Sequence, residues 1–286
     1  YAVQMCDGES VITWDVSGSI RRATTASPVS LPVTYMDHGL PNDDGLNLVG
    51  NPFPAPLDWE ATGWVKTNIT NTFWIRNNKE LNIASYNGDL DESTNGATQY
   101  IAMGQAFWVQ ATASSPLLTI TESVKQDEQP EFFREDPLPD LLRLTVNRDG
   151  ISDEIIVHFD ERADDASNTF GDSRKFRNEF MNLFSFAEDS VRLAINSMQT
   201  WTCARTVGLG LNDVQPGTYS FSYSGFESFQ EDVTISLVDL WKGITHELKP
   251  EGTYAFEVTD DAASHGAGRF QVVFSKGEQV RVVTAL

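Results

Sequence analysis

Cysteine and histidine are scarce in this chain of 286 residues, which has only Cys6, Cys203 and four histidines. No CxxC pair or Cys/His cluster occurs, so the ligand sets of zinc, haem and iron–sulfur sites are missing. Cys6 and Cys203 are compatible with a long-range disulfide or with two buried thiols, since pairing depends on spatial geometry. Basic residues are also few: 20 Lys and Arg stand against 41 Asp and Glu, a formal net charge of −21. Without a Lys/Arg cluster there is no face for nucleic acid, and the charge sign disfavours an anionic membrane surface. No apolar run approaches the roughly 18 residues of a membrane helix, so direct membrane insertion is not expected. GxSxG, HExxH, Walker and helix-opening GxGxxG patterns are absent, and a non-enzymatic protein is expected. The first residue, Tyr1, and the lack of a basic-then-apolar leader lead us to expect a processed chain or an excised fragment.

What the chain does have is apolar content of 40%, including 17 Phe and 7 Trp, enough for hydrophobic cores. Alternation of period two recurs at 11–16, 142–147, 154–160, 191–196, 218–224, 232–240, 253–258 and 269–274. Thr, Val, Ile, Tyr and Phe are enriched there, the pattern of half-buried antiparallel strands. Turn clusters such as PNDDG, NGDLDESTNG, RDG, QPGT, KPEGT and SHGAG separate them. Residues 173–184 alone read as a short helical or irregular piece. The expected fold is all-β, with two consecutive antiparallel β-sandwich domains of jelly-roll or Ig-like type. Their expected bounds are 1–124 and 140–278, joined by a Pro-rich, acidic linker at 125–139. A strand-like tail at 279–286 could pair with a sheet edge on another copy of the chain.

The stretch GLNLVGNPFPAPLDW (45–59) places Pro52, Pro54 and Pro56 at alternate positions. Proline fixes φ and lacks an amide donor, and it pushes the residue before it toward extended backbone. A rigid corner beside a cluster of Trp59, Trp64, Phe73 and Trp74 is therefore expected rather than a substrate loop.

Several constellations carry possible chemistry. In DEIIVHFDE (153–161), alternation puts His158 and Asp160 on one polar face, as in an acid/base pair, but no nucleophile stands at a recognisable spacing. The loop 160–172 gathers Asp160, Asp164, Asp165, Asn168 and Asp172, the oxygen-only donors that a calcium ion requires. Asp89, Asp91, Ser93 and Asn95 form a second candidate calcium loop, although Tyr100 stands where an EF-hand has its Glu. Solvated acidic turns are the competing reading for both. Trp64, Trp74, Trp108 and Trp241 could form a glycan-stacking platform if exposed and coplanar, and would otherwise be core. A carboxylate pair spanning a cleft, as glycoside hydrolysis needs, cannot be read from spacing in a β-protein. Asp239, in ISLVDLWKG, is expected to end a strand by accepting from turn amides.

The order GLNLVGNPFPAPLDW, FWIRN (73–77), SYNG (85–88) and IAMGQAFWVQA (101–111) is similar to a module of large surface proteins from Bacteroidetes-type bacteria. Those proteins are exported by the type IX secretion system. The segments LRLTVNRDGISDEIIVHFDERADDASNTFGDSRKF, VRLAIN, PGTYSFSYSGFESF, ISLVDLWKGITHEL, TYAFEV and RFQVVF resemble the module that commonly follows. The resemblance spans most of 40–275. It implies an extracellular, cell-surface, non-catalytic module, adhesive or structural, with other copies of itself, other surface proteins or glycans as partners. That family's usual C-terminal sorting domain has no counterpart after Phe274, so the export route is an implication of the resemblance. A carbohydrate-binding accessory module of a secreted hydrolase is the alternative.

Overall fold

Strands with one apolar face must stack or curl to bury it. A computed structural model describes residues 20–37, 39, 44–77, 81–126, 138–250 and 252–277, which are all-β with antiparallel sheets. The expected strand 11–16, Cys6, residues 127–137 of the linker and the tail 279–286 lie outside the described residues. The first strands are β1 (Val29–Leu31), β2 (Leu46–Gly50), β3 (Leu57–Asp58), β4 (Trp64–Thr67) and β5 (Ile69–Asn77). Next come β6 (Asn82–Asn87), β7 (Glu92–Thr94), β8 (Tyr100–Ile101), β9 (Ala106–Ala111) and β10 (Leu117–Ile120). After the linker run β11 (Leu141–Arg148), β12 (Ile151–Phe159), β13 (Ser173–Arg174), β14 (Asn182–Phe186), β15 (Arg192–Met198) and β16 (Ala204–Asn212). The last are β17 (Gly217–Ser224), β18 (Val233–Asp239), β19 (Ile244–Glu247), β20 (Thr253–Val258) and β21 (Gly266–Lys276).

The described residues divide into two compact units, one drawn from 20–37, 44–70 and 99–126, the other from 39, 71–77, 81–98, 138–250 and 252–277. This division differs from the expected boundary at 125–139, because residues 71–98 join the second unit. Their polar side chains bond to segments beyond residue 138, a pairing that distance along the chain conceals.

In the first unit β1, β10 and β4 form one sheet, β3 pairs with β8, and β2 pairs with β9, all antiparallel. Phe53, Leu57, Trp59, Trp64 and Phe107 are buried, and the Trp59 and Trp64 rings lie 4.7 Å apart. The proline-rich stretch is a corner held by one amide. Asn51 Nδ2 donates to the carbonyls of Ala55 (2.8 Å) and Ala102 (3.0 Å), while its Oδ1 accepts from Phe53 N (2.9 Å). The prolines donate no backbone bonds, and Asn51 ties together the carbonyls left around them.

In the second unit β5, β6 and β7 form an antiparallel meander. The larger sheet runs β19-β18-β21-β16-β14-β15-β12-β11-β17-β20, with β13 beside β15. Its core is built by alternation: Leu142, Leu144 and Val146 of β11, Ile155, Val157 and Phe159 of β12, and Tyr219, Phe221 and Tyr223 of β17 all point one way. Phe270 of β21 meets Phe221 at 5.1 Å and Phe256 of β20 at 4.8 Å, although these strands stand near opposite ends of the path. The sheet thus folds over on itself. Tyr219 pins the corner before β17, its hydroxyl bonding both N (3.1 Å) and O (2.8 Å) of Gln215, the tyrosine corner of Greek-key sandwiches.

Among the described residues one pair, β12 with β15, is parallel. A parallel pair needs a long crossover, and residues 160–191 supply it, so the acidic loop 160–172 is the start of that crossover. The region 173–184 is not helical. It holds β13, irregular backbone and the start of β14, since Asn178 and Asn182 bond nearby backbone groups in competition with helical bonds.

Candidate functional site

Apart from Asp164, which is exposed, the candidate calcium ligands in the crossover each bond within the protein. Asp160 is chelated by Arg162, which donates from Nε (2.9 Å), Nη2 (2.7 Å) and its backbone N (2.8 Å). That pair holds the Asp160 carboxyl down at about 2. Asp165 pairs with Arg205 and accepts from Gln199 N, and Asn168 Oδ1 accepts from Phe170 N at 2.7 Å. Asp172 is buried and accepts from Ser197 N (2.8 Å) and Asn168 N (3.0 Å). Burial pushes its carboxyl up to about 7, against the pull of those two amides.

The second loop is likewise committed to structure. Asp89 accepts from Asn71, Asp91 from the Tyr86 hydroxyl (2.7 Å), and the Ser93 carbonyl from Arg143 (2.7 Å). Among the described residues no group of three His, Cys, Asp or Glu side chains is arranged to hold a metal ion.

Of the four tryptophans that could form a platform if exposed, two are core. Trp64 (9% exposed) and Trp74 (1%) are buried, their indole N–H groups donating to the carbonyls of Asp58 (2.7 Å) and Arg174 (3.0 Å). Trp108 is half-buried on β9. Trp241, also half-buried, lines a groove of about 590 Å³ with Leu240, Ala262, Ala263 and His265.

His158 is buried rather than placed on an open polar face, because Leu90, Leu141, Ile156, Ile195 and Phe170 cover that side of β12. Its Nδ1 lies 2.9 Å from Ser197 Oγ. The nearby Asp172 carboxylate bonds the backbone amide of Ser197, which is not the orientation of a nucleophile relay.

The densest chemistry sits beneath the β6–β7 hairpin. Asp153, wholly buried on the inward parity of β12, receives Lys175 Nζ at 2.6 Å on Oδ1 and 2.5 Å on Oδ2. Asn95 Nδ2 also donates to Oδ1 (3.1 Å), and Leu183 N to Oδ2 (2.7 Å). Asn95 itself spans the seam: Nδ2 reaches the Ile83 carbonyl (2.8 Å) and Oδ1 accepts from Glu154 N (3.0 Å). Its positive φ of 53° holds the side chain in that turn. Arg143 joins the Ser93 carbonyl, Glu92 and Glu154, and burial raises the Glu154 carboxyl although Arg143 opposes it. Neither Lys175 nor Asp153 was singled out as a site residue by sequence. The available signal was Asp153 itself, a charge on the core-facing parity of an apolar strand, which must find a partner.

A second hub is built on Asp239. It accepts from Lys242 N (3.1 Å) at the strand end, as expected, and also from Tyr254 and the buried Arg269. Burial, with Asp239 alongside, pushes the Tyr254 phenol up to about 12.

These features define the class as an all-β protein with antiparallel sheets, its ionisable side chains joining segments distant in sequence. The chain belongs to the family described as Domain of unknown function (DUF8693), whose model matches residues 12–274. No curated protein and no solved structure matches it.

Proposed function

We propose that the chain is a non-enzymatic structural or adhesive module of an extracellular surface, working as a rigid unit in assembly with copies of itself or with other surface proteins. The observation that carries the reading is the use made of buried charge. Asp153 with Lys175 ties β12 to the segment after β13, and Asp239 with Arg269 clamps the end of β18 to its neighbour β21. Buried ionic links of this kind favour one arrangement of the chain, which suits a load-bearing unit more than a deformable one. Light scattering and electron microscopy, with calcium and then with chelator, test it. Regular assemblies, or adhesion of coated beads to cells, are the expected outcome. Turnover in a glycan or peptide screen, lost on a single groove substitution, would replace the reading with an enzymatic one.

A second reading, a carbohydrate-binding accessory module, draws on the Trp241 groove, where one aromatic ring is walled by small side chains and an imidazole. A glycan array in which binding disappears with Trp241→Ala would establish it.

A further inference from the structure

We propose that Lys175 and Asn95 condense into an intramolecular isopeptide bond, with Asp153 as the proton carrier between them. This goes beyond the structural reading above and does not depend on it.

The constellation has the parts an acyl transfer to an amine requires. The nucleophile is Lys175 Nζ, on a side chain only 4% exposed. The electrophile is the carboxamide carbon of Asn95. Between them stands Asp153, whose single oxygen Oδ1 touches both the Lys175 amine (2.6 Å) and the Asn95 Nδ2 (3.1 Å). That is the position of a general acid–base serving attack and departure from one site. Asn95 Oδ1, where negative charge would develop, faces the Glu154 backbone N–H at 3.0 Å, a preorganised donor for the tetrahedral intermediate. The amide is oriented from both ends, since its Nδ2 is also tied to the Ile83 carbonyl. Lys175 is anchored in turn by its own backbone N–H to the Arg192 carbonyl (2.9 Å). Holding the reactants in one fixed geometry replaces an encounter by a single intramolecular step.

The step balances without any further reagent. Lys175 Nζ passes a proton to Asp153, and its lone pair attacks Cγ of Asn95 while the C=O electrons move onto Oδ1. Asp153 returns that proton to Nδ2, and the Cγ–Nδ2 bond breaks as the C=O re-forms, releasing ammonia. Nζ, still positively charged, gives up a second proton through Asp153 to the departing ammonia, and the neutral Nζ–Cγ amide remains. The nitrogen of Asn95 leaves as ammonium, and Asp153 ends as the carboxylate it began as. Nothing is oxidised or reduced. The product joins the turn after β7 to the segment after β13, closing covalently the loop from Asn95 to Lys175.

Intact mass spectrometry of the folded chain, after denaturation, tests the bond. The expected mass is about 17 Da, one ammonia, below that of the sequence. A tryptic digest is expected to yield one branched peptide containing both Asn95 and Lys175, absent from Lys175→Arg. In Asp153→Asn the full mass is expected to return, even where circular dichroism shows the fold kept. A full sequence mass in the folded wild type would overturn the proposal. So would a deficit of about 17 Da confined to the Asn95 peptide without Lys175, because that is a succinimide at Asn95-Gly96.

Discussion

The guanidinium of Arg269, fully buried, lies against both carboxylate oxygens of Asp239, with Nη2 at 2.8 Å from Oδ2 and Nε at 3.1 Å from Oδ1. Its Nη1 donates to the carbonyls of Glu257 and Ser264, and the guanidinium carbon lies 4.5 Å from the centre of the Phe270 ring. Every charge in that hub has its partner inside the protein.

Removing one member of this pair leaves the other buried and uncompensated. Arg269→Met is expected to destabilise by about 3–5 kcal/mol, and Asp239→Ala by a similar amount. Urea denaturation of the two single variants and of the double variant measures it. The double variant should be less destabilised than the sum of the singles; simple additivity would mean that the charges are not coupled.

Asp172 sets a pH dependence. Its folded carboxyl is raised to about 7 from an ordinary 3.8, so the folded chain keeps a proton that the unfolded chain releases. The stability tied to that proton is complete below the unfolded value and is lost as pH climbs through about 7. Between pH 5 and 8 the loss should be roughly 2–3 kcal/mol. Denaturation across that range should show the slope in the wild type and a flatter curve in Asp172→Asn. Equal slopes would assign the pH dependence to other groups.

At the corner before β17, Tyr219→Phe removes the bonds to both backbone groups of Gln215 and one to Arg148. A cost of about 1–3 kcal/mol is expected, with unchanged secondary structure by circular dichroism. No change in thermal midpoint would show the corner to be redundant.

Gly210 faces the Phe184 ring, and a Cβ there would come within 2.2 Å of it. Gly210→Ala should therefore cost about 1–3 kcal/mol through displacement of a buried ring. Thermal melts of this variant against Gly268→Ala, where a Cβ meets nothing within 4 Å, separate crowding from the loss of glycine itself.

Much of the second unit was legible as alternation. β11, β12, β17 and β21 coincide with runs in which every second residue is apolar, because one face of each looks into a single core. β16 was not legible, since Gly208 and Gly210 interrupt its pattern where rings of β14 need room. The second face of β12 was misread for a related reason. His158 looks like a solvent-facing residue in sequence, and only the crossover and the β6–β7 hairpin bury it. Its neighbours in sequence make Asn95 read as part of an acidic loop, yet its partners are Asp153, Glu154 and Ile83. Spacing shows that a side chain can bond, but not which distant atom it will meet. The proline corner was legible because its cause is local: ring closure acts on the same residues that form the turn.

β21 is the last described strand of the chain, yet it lies inside the large sheet, hydrogen-bonded to β16 on one side and β18 on the other. Until its residues are available, both neighbours present open edges, with the apolar face that Phe270, Val272 and Phe274 complete. Closure of this unit therefore waits for Gly266–Lys276. A nascent chain halted before Gly266 would be a substrate for holding chaperones and a template for intermolecular strand pairing.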